Sequence, residues 1–346
     1  MPKELFVDKP KHLIITDYQE AALKGNQVRI QSEFSAIKHG TEFNHFGGNS
    51  PFSHKRFDMQ LRMFVECFPR DNPVSYKYPG NITVGRIVEV GTDVKNLQVG
   101  DRVYAYAPIR QTIEKDEKEV NVLTPPMSEV DAVCTDPAFF ALAAVRDADV
   151  GVGDHVIIFG LGAIGLFCIQ LLRLAGCLEI VAVDPMKMRR DLAERLGATL
   201  VLDPRSCDVG SEVRHYLKHG ADVAIEGSGS YQALHDAMRS VQMCGRIVTF
   251  GFYKGKAAEL ALGEEWHHNR LTLVSSMPAW NNPSRDHPLW DRERLEYSVK
   301  QMFMKRLLTA HDIVTPIVSF DEAPKAYMDI YENAENAIKL GIRFGV

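Results

Sequence analysis

His155-Val-Ile-Ile-Phe-Gly-Leu-Gly-Ala-Ile-Gly-Leu-Phe167, followed by Ile180-Val-Ala-Val-Asp184, is the stretch that decides how this chain is read. The apolar run Val156 to Phe159 has the length and β-branched content of a buried parallel strand. It enters Gly160, Gly162 and Gly165, and an apolar helical pattern then continues from Ile164 to Ala175. In this spacing the first glycine permits a tight turn. The second lets a pyrophosphate approach the backbone, and the third lets helix and strand pack closely. The helix start, with Ala163 and Ile164 in its first turn, offers unpaired N–H groups and the positive end of the helix dipole to phosphate oxygens. A second apolar strand ends in Asp184, where a carboxylate meets the adenosine ribose hydroxyls. The stretch is read as a dinucleotide site.

Asp184 also selects between dinucleotides. A carboxylate there accepts hydrogen bonds from a 2′-hydroxyl and repels a 2′-phosphate, so NAD is expected rather than NADP. Arg189 and Arg190 follow on the next predicted helix, Arg189 against the ribose or adenine and Arg190 facing solvent. Ser228, after the apolar strand Ala221–Glu226, and Gly251, closing Ile247–Phe250, complete the expected cofactor set.

The chain has 346 residues, room for two domains with separate cores. A hydrophobic share of 45% and a charged share of 25% are those of an ordinary globular protein. The net charge of -5 gives no reason to expect nucleic acid or an anionic membrane as partner. No apolar run approaches the roughly 20 residues of a membrane helix, and Met1-Pro-Lys-Glu4 lacks the features of a signal peptide. The cysteines, at 67, 134, 168, 177, 207 and 244, show no metal or redox spacing. A cytoplasmic protein with reduced thiols is expected.

Short alternating bursts such as His12–Ile15 and Val28–Gln31 predict half-buried strands in the first 35 residues. Residues 39–80, with Gly47, Gly48, Pro51, Pro69, Pro73 and Pro79, predict loops around a short helix near Met59–Cys67. Val84–Val90 and the segment after Asp101 predict strands, Lys115–Glu119 a charged loop tip and Ala138–Val145 a helix. Val201–Leu202, Ala221–Glu226, Ile247–Phe250 and Leu271–Val274 then read as strands, with Tyr231–Val241 as a helix. Such alternation specifies a doubly wound parallel sheet. The tail reads as helices over Arg292–Leu308 and Ala323–Glu332 and a strand over Ile338–Phe344.

Ala36-Ile-Lys-His-Gly-Thr-Glu42, Gly85-Arg-Ile-Val-Glu-Val-Gly91 and Val99-Gly-Asp-Arg-Val103 precede the glycine loop. Gly153-Asp-His-Val156 leads into it, and Gly245-Arg-Ile-Val-Thr-Phe-Gly251 follows it. In order and spacing these blocks resemble the zinc-type alcohol dehydrogenase-like, medium-chain dehydrogenase/reductase superfamily over nearly the whole chain. The resemblance implies an α/β fold with a Rossmann doubly wound parallel sheet inserted into a GroES-like, partly barrel-like, β-rich substrate domain. The expected limits are 1–136 and 275–346 for the substrate domain and 137–274 for the NAD-binding domain, with the active site in the cleft. A small-molecule alcohol or ketone as substrate and a homodimer or homotetramer are expected. Locally, residues 36–42 and 78–91 also resemble the bacteriochlorophyllide a dehydrogenase branch, whose members oxidise a hydroxyethyl group to a ketone.

The family's zinc pattern is broken in this chain. Catalytic Zn²⁺ is held there by Cys, His and a second Cys or acid. The corresponding positions carry His39, Asn81 and Thr135, beside Cys134 and Asp136, and the lobe of four cysteines around a structural zinc is missing. Asn and Thr are poor Zn²⁺ ligands, so no catalytic zinc is expected, although His39 with Cys134 or Asp136 leaves an unusual set open. Without zinc, alcohol oxidation still needs a group to take the hydroxyl proton. His39, with a reference pKa of about 6.5, is the natural candidate. Thr41 sits where family members carry a relay hydroxyl, Glu42 would orient a partner or the ribose, and Lys38 would stabilise an alkoxide. Trp280 and Trp290 are candidates for the wall of the substrate cleft. The polar stretch 43–79, with Asn44, His45, Asn49, Ser50, His54, Lys55 and Arg56, suits a polyol or sugar-derived alcohol. Two other functions remain open: a zinc-free quinone or enone reductase, and a dinucleotide-binding protein without catalysis.

Overall fold

Val156, Ile157 and Ile158 are fully buried, because the strand they form lies mid-sheet with helices over both faces. The computed structural model describes residues 1–47, 55–67, 77–280 and 290–345, with Thr41 and Trp280 described through their backbone alone. The expectations for Gly48, Asn49, Ser50, Pro51, His54, Pro69 and Pro73, and for the side chains of Thr41 and Trp280, lie outside this description.

In chain order the first strands are β1 (Lys3–Lys9), β2 (His12–Asp17) and β3 (Gln27–Ala36), followed by helix α1 (His39–Phe46). Next come β4 (Lys55–Asp58), β5 (Met63–Glu66), β6 (Ile82–Val90), β7 (Arg102–Tyr106), β8 (Thr112–Asp116), β9 (Asn121–Val122) and α2 (Glu129–Ala132). Alternation then sets in: α3 (Thr135–Asp147), β10 (His155–Phe159), α4 (Ala163–Ala175), β11 (Glu179–Val183), α5 (Lys187–Leu196) and β12 (Leu200–Leu202). It continues through α6 (Val209–Leu217), β13 (Ala221–Glu226), α7 (Tyr231–Ser240), β14 (Val241–Thr249), α8 (Glu265–His268), β15 (Thr272–Ser275) and α9 (Arg292–Met304). The chain closes with β16 (Val314–Ser319), α10 (Ala323–Glu332) and β17 (Lys339–Arg343).

Two compact units result, Met1–Val133 with Val314–Val346, and Cys134–Ile313. In the second, all strands are parallel in the order β12-β11-β10-β13-β14-β15, the doubly wound arrangement that the strand–helix alternation predicts. Ile157 and Phe159 pack in one core layer with Val213 of α6 and Leu234 and Met238 of α7. Ile158 points the opposite way, toward α4, where its Cδ1 lies 3.8 Å from the position a Gly165 Cβ would take. Leu166, Phe167, Ile169 and Leu172 of α4 are fully buried, each stabilising the unit by roughly 1.5–3 kcal/mol.

The first unit carries a seven-stranded sheet ordered β16-β17-β3-β6-β7-β9, with β8 also paired to β3. Pairing is antiparallel except between β16 and β17. Along β3, Val28 and Ile30 turn inward onto Ile87, Val103 and Ile113, while Gln31 faces water, the alternation of a half-buried strand. Leu5, Ile37, Phe46, Tyr327 and Leu340 form a second core that seats α1 and α10.

Two expectations are corrected here. In place of a helix near Met59–Cys67 there is the hairpin β4–β5, because Phe57 and Phe64 pair across its strands edge-on at 5.3 Å. Its turn is set by Asp58, whose Oδ1 accepts from the N–H groups of Gln60 and Leu61, both at 2.9 Å. Residues 275–280 and 290–313 do not return to the first unit as the limit at 275 implied. Ser276 donates to Asp147 at 2.7 Å, and the ring of Phe303 in α9 meets Phe167 of α4 at 5.7 Å. Trp290, a candidate for the cleft wall, is flanked by the guanidinium groups of Arg146 at 3.7 Å and Arg294 at 4.1 Å.

Candidate functional site

The C-terminal edge of the parallel sheet is built by three loops that leave β10, β13 and β14. Gly160 has φ +86°, the left-handed region that a side chain disfavours, and a Cβ there would lie 2.7 Å from Ser228 N. A Cβ on Gly165 would lie 2.0 Å from the Gly160 carbonyl oxygen, so glycine is required for α4 to start this close to β10. Gly162 differs: nothing stands within 4 Å of its Cβ position, and its backbone is ordinary and extended. It is the N-cap of α4 and provides no side-chain cap, so the first N–H groups of a 13-residue helix, those of Ala163, Ile164 and Gly165, have no intrahelical partner. The space a side chain would fill in front of them fits a pyrophosphate.

Asp184, one residue past β11, is only 3% exposed. Its Oδ2 accepts from Leu161 N–H at 2.7 Å and its Oδ1 from Met186 N–H at 2.8 Å. The carboxylate thus ties the glycine loop to the end of β11 and keeps lone pairs for a vicinal diol. Arg189 Nη1 stands 3.8 Å from Oδ2. Arg190 does not face solvent. Its Nη1 donates to the carbonyl oxygens of Asp184 at 2.7 Å and Pro185 at 2.8 Å, and lies 3.2 Å from Asp203 Oδ2.

Sequence reasoning missed Glu226, the last residue of β13, which is fully buried. Its Oε1 accepts from Ser228 N–H at 2.7 Å and from the Ser228 hydroxyl. Its Oε2 accepts from Gly229 N–H at 3.3 Å and from the Tyr253 hydroxyl. Burial pushes the Glu226 carboxyl above the usual range, against the pull of those donors. The same burial and the neighbouring Glu226 push the Tyr253 phenol up, so it stays a donor. Ser228 therefore spends its hydroxyl on Glu226. Gly251 is required by packing, since its Cβ would lie 2.4 Å from Gly229 N. The available signal was an acid ending an apolar strand immediately before Gly227-Ser228-Gly229.

In the other unit, Lys38 is the N-cap of α1 and His39 its first residue. Glu42 is buried: its Oε1 accepts from Lys38 N–H at 2.9 Å and Gly80 N–H at 3.2 Å, and its Oε2 from the Tyr327 hydroxyl at 3.3 Å. Burial and Glu42 push the Tyr327 phenol up and keep it protonated. Glu42 thereby joins α1, the loop before β6 and α10. His39 stacks on Phe43 at 4.9 Å; its Nδ1 lies 3.0 Å from the Ile338 carbonyl oxygen, and Leu340 N–H points at its Nε2 at 3.4 Å. The carbonyl selects the Nδ1–H tautomer and leaves the lone pair on Nε2. Asn81 is buried beside β6, while Cys134 and Asp136 are buried at the start of α3 with Thr135 between them. Both His39 ring nitrogens engage backbone, and Asn81 and Thr135 carry an amide and a hydroxyl, which are poor Zn²⁺ ligands.

The family model for zinc-binding dehydrogenases matches residues 163–286. D-guloside 3-dehydrogenase of Escherichia coli (strain K12) is 38% identical over 351 residues, spanning 99% of this chain and 100% of the relative. (R,R)-butanediol dehydrogenase of Bacillus subtilis (strain 168) is 30% identical over 220 residues, 56% of this chain and 63% of the relative. The solved structure of 2R,3R-butanediol dehydrogenase from Bacillus subtilis shares the fold, with a TM-score of 0.78 at 22% identity over 99% of both chains. An Escherichia coli CFT073 alcohol dehydrogenase in complex with NADH has a TM-score of 0.77 at 16% identity over 99% of both chains. The chain belongs to the zinc-type alcohol dehydrogenase-like, medium-chain dehydrogenase/reductase superfamily. Within it, the protein is an alcohol-dehydrogenase-like oxidoreductase acting on CH–OH groups. No helix among the described residues is long and apolar enough to cross a membrane.

Proposed function

We propose that this enzyme interconverts a ring secondary alcohol of a sugar or glycoside and the corresponding ketone, with NAD and without catalytic zinc. The observation that carries the reading is the Asp184 carboxylate, buried at the end of β11 and held by Leu161 and Met186 N–H groups. The sugar class is supported by the 38% identity with a D-guloside 3-dehydrogenase over the full length of both chains.

NAD⁺, when bound, would supply the hydride acceptor for the carbinol carbon. The first turn of α4 and Asp184 would hold the dinucleotide, and the chain's other residues deal with the hydroxyl proton. His39 Nε2 carries the lone pair and accepts that proton once the substrate hydroxyl displaces its 3.4 Å contact with Leu340 N–H. Nδ1–H, held by Ile338, stabilises the imidazolium that forms. Glu42 is a positioning residue that fixes α1, and Lys38 and Thr41 complete the set at its start.

Absorbance at 340 nm, with NAD⁺ and a panel of glycosides, free sugars, polyols and aliphatic alcohols, tests the reading. Turnover confined to sugar-derived secondary alcohols is expected. Oxidation of NADPH by quinones, or binding of NAD with no turnover on any member of the panel, would overturn it. Elemental analysis should find the same zinc content in wild type and His39→Ala. A zinc ion lost only in His39→Ala, together with activity lost to a chelator and restored by Zn²⁺, would make His39 a ligand. Light scattering after size exclusion should show a homodimer or homotetramer.

A further inference from the structure

Away from the dinucleotide edge, His235 of α7, Glu264 at the N-cap of α8 and Glu265 bring one nitrogen and two carboxylate oxygens within 4.8 Å of one another. Two atoms of this group are buried and lack any hydrogen-bond partner: His235 Nδ1 and Glu265 Oε2. Among the described residues these are the only buried side-chain polar atoms in that position. Leaving such an atom unsatisfied costs roughly 1–3 kcal/mol, so finding both in one cluster calls for a shared partner. Glu265 Oε1 faces the Arg239 guanidinium at 3.8 Å, and Arg239 is also bound to Asp208 at 2.9 Å, which leaves Oε2 uncompensated. Glu264 is exposed and able to swing, while its carbonyl oxygen is held by the His268 ring at 3.0 Å.

We propose that His235, Glu264 and Glu265 form a binding site for a divalent transition-metal ion of the Zn²⁺ type. An imidazole with two carboxylates suits a borderline ion better than Mg²⁺ or Ca²⁺, which favour all-oxygen shells. Zn–N and Zn–O bonds of about 2.0–2.2 Å put tetrahedral ligand atoms about 3.4 Å apart, so modest side-chain rotation closes the cluster onto an ion. A fourth position is left for water. The site joins α7 to α8 and thereby closes the segment between them. That segment carries Tyr253, whose hydroxyl holds Glu226 at the dinucleotide edge. The ion would be structural, and it shares no residue with the proposed chemistry.

Calorimetric titration of the chelator-stripped full chain with ZnCl₂ tests this independently of turnover. One ion per chain is expected, with a raised melting temperature. His235→Ala and Glu265→Gln should each weaken binding at least about tenfold, the lower end of what losing even an outer-shell partner costs. Glu264→Gln, at an exposed side chain, should also weaken it and guards against misfolding of the two half-buried variants. His268→Ala should leave it unchanged. No stoichiometric binding up to about 1 mM Zn²⁺, binding unaffected in all three ligand variants, or tighter binding of Mg²⁺ than of Zn²⁺ would overturn the proposal.

Discussion

Replacing Asp184 by serine should reverse the dinucleotide preference, and the structure sets the scale. The carboxylate is almost wholly buried and already engages two backbone N–H groups, so it is oriented before any ligand arrives. Hydrogen bonds from ribose hydroxyls to a charged acceptor are worth about 1.5–3 kcal/mol each. Losing one weakens NAD by roughly 10- to 150-fold at 1.4 kcal/mol per factor of ten. A 2′-phosphate oxygen about 4 Å from the carboxylate meets repulsion of about 4 kcal/mol per unit charge at an effective dielectric of 20. Serine removes that repulsion and exposes the phosphate to Arg189, now 3.8 Å from Oδ2. The ratio of the NADP and NAD dissociation constants should therefore fall by at least about a thousandfold. Asp184→Asn separates charge from shape, because its amide oxygen still accepts from Leu161 while the charge is gone. Calorimetry or quenching of protein fluorescence reads both constants. Wild-type protein that binds NADP as tightly as NAD, or an Asp184→Asn variant with an unchanged ratio, would refute the reasoning.

His39→Ala should lower turnover by roughly 10²–10⁴-fold and remove the acidic limb of the pH profile for alcohol oxidation, with NAD affinity little changed. His39→Asn keeps a donor for the Ile338 carbonyl without a base, so near-normal turnover in that variant would reduce His39 to a structural tie. Gly162→Val should leave thermal stability near normal yet weaken NAD, whereas Gly165→Ala, with its Cβ 2.0 Å from a carbonyl oxygen, should cost about 1–3 kcal/mol or prevent folding. Calorimetric melting with and without NAD separates these two outcomes. Asp203 is held at about 2 by the Arg205 guanidinium first, with Arg190 adding to it. Its depressed folded-state pKa contributes stability that is present above the unfolded value of about 3.9 and lost as pH falls toward 2. Denaturant titration of Asp203→Asn should show a deficit near neutrality that disappears across that acid window.

The hairpin β4–β5 and the role of Glu226 show where sequence reading stops. Phe57 and Phe64 meet across a turn, and the segment between them, read without its pairing, looks helical. Glu226 reads as the end of a strand, since nothing local reveals that Ser228, Gly229 and Tyr253 converge on it. His39 is the harder case. Its residue type and the Gly40-Thr41-Glu42 context mark it as important, but its tautomer depends on the carbonyl of Ile338, a partner supplied from the far end of the chain.

The nucleotide unit was determined by sequence alone. Its strands, helices and turns follow from apolar periods and glycine spacings only a few residues long, and Gly162 and Gly165 act within that reach, whereas Gly160 and Asp184 meet Ser228 and Leu161 from other turns of the sheet. Tertiary structure decided the rest: that residues 290–313 stay with the second unit, that Arg190 turns onto carbonyl oxygens, and that His235 and Glu265 meet with unpaired atoms. The physical reason is the same in each case. Packing faces and hydrogen-bond partners contributed by distant segments carry no periodicity, so only the folded chain brings them together.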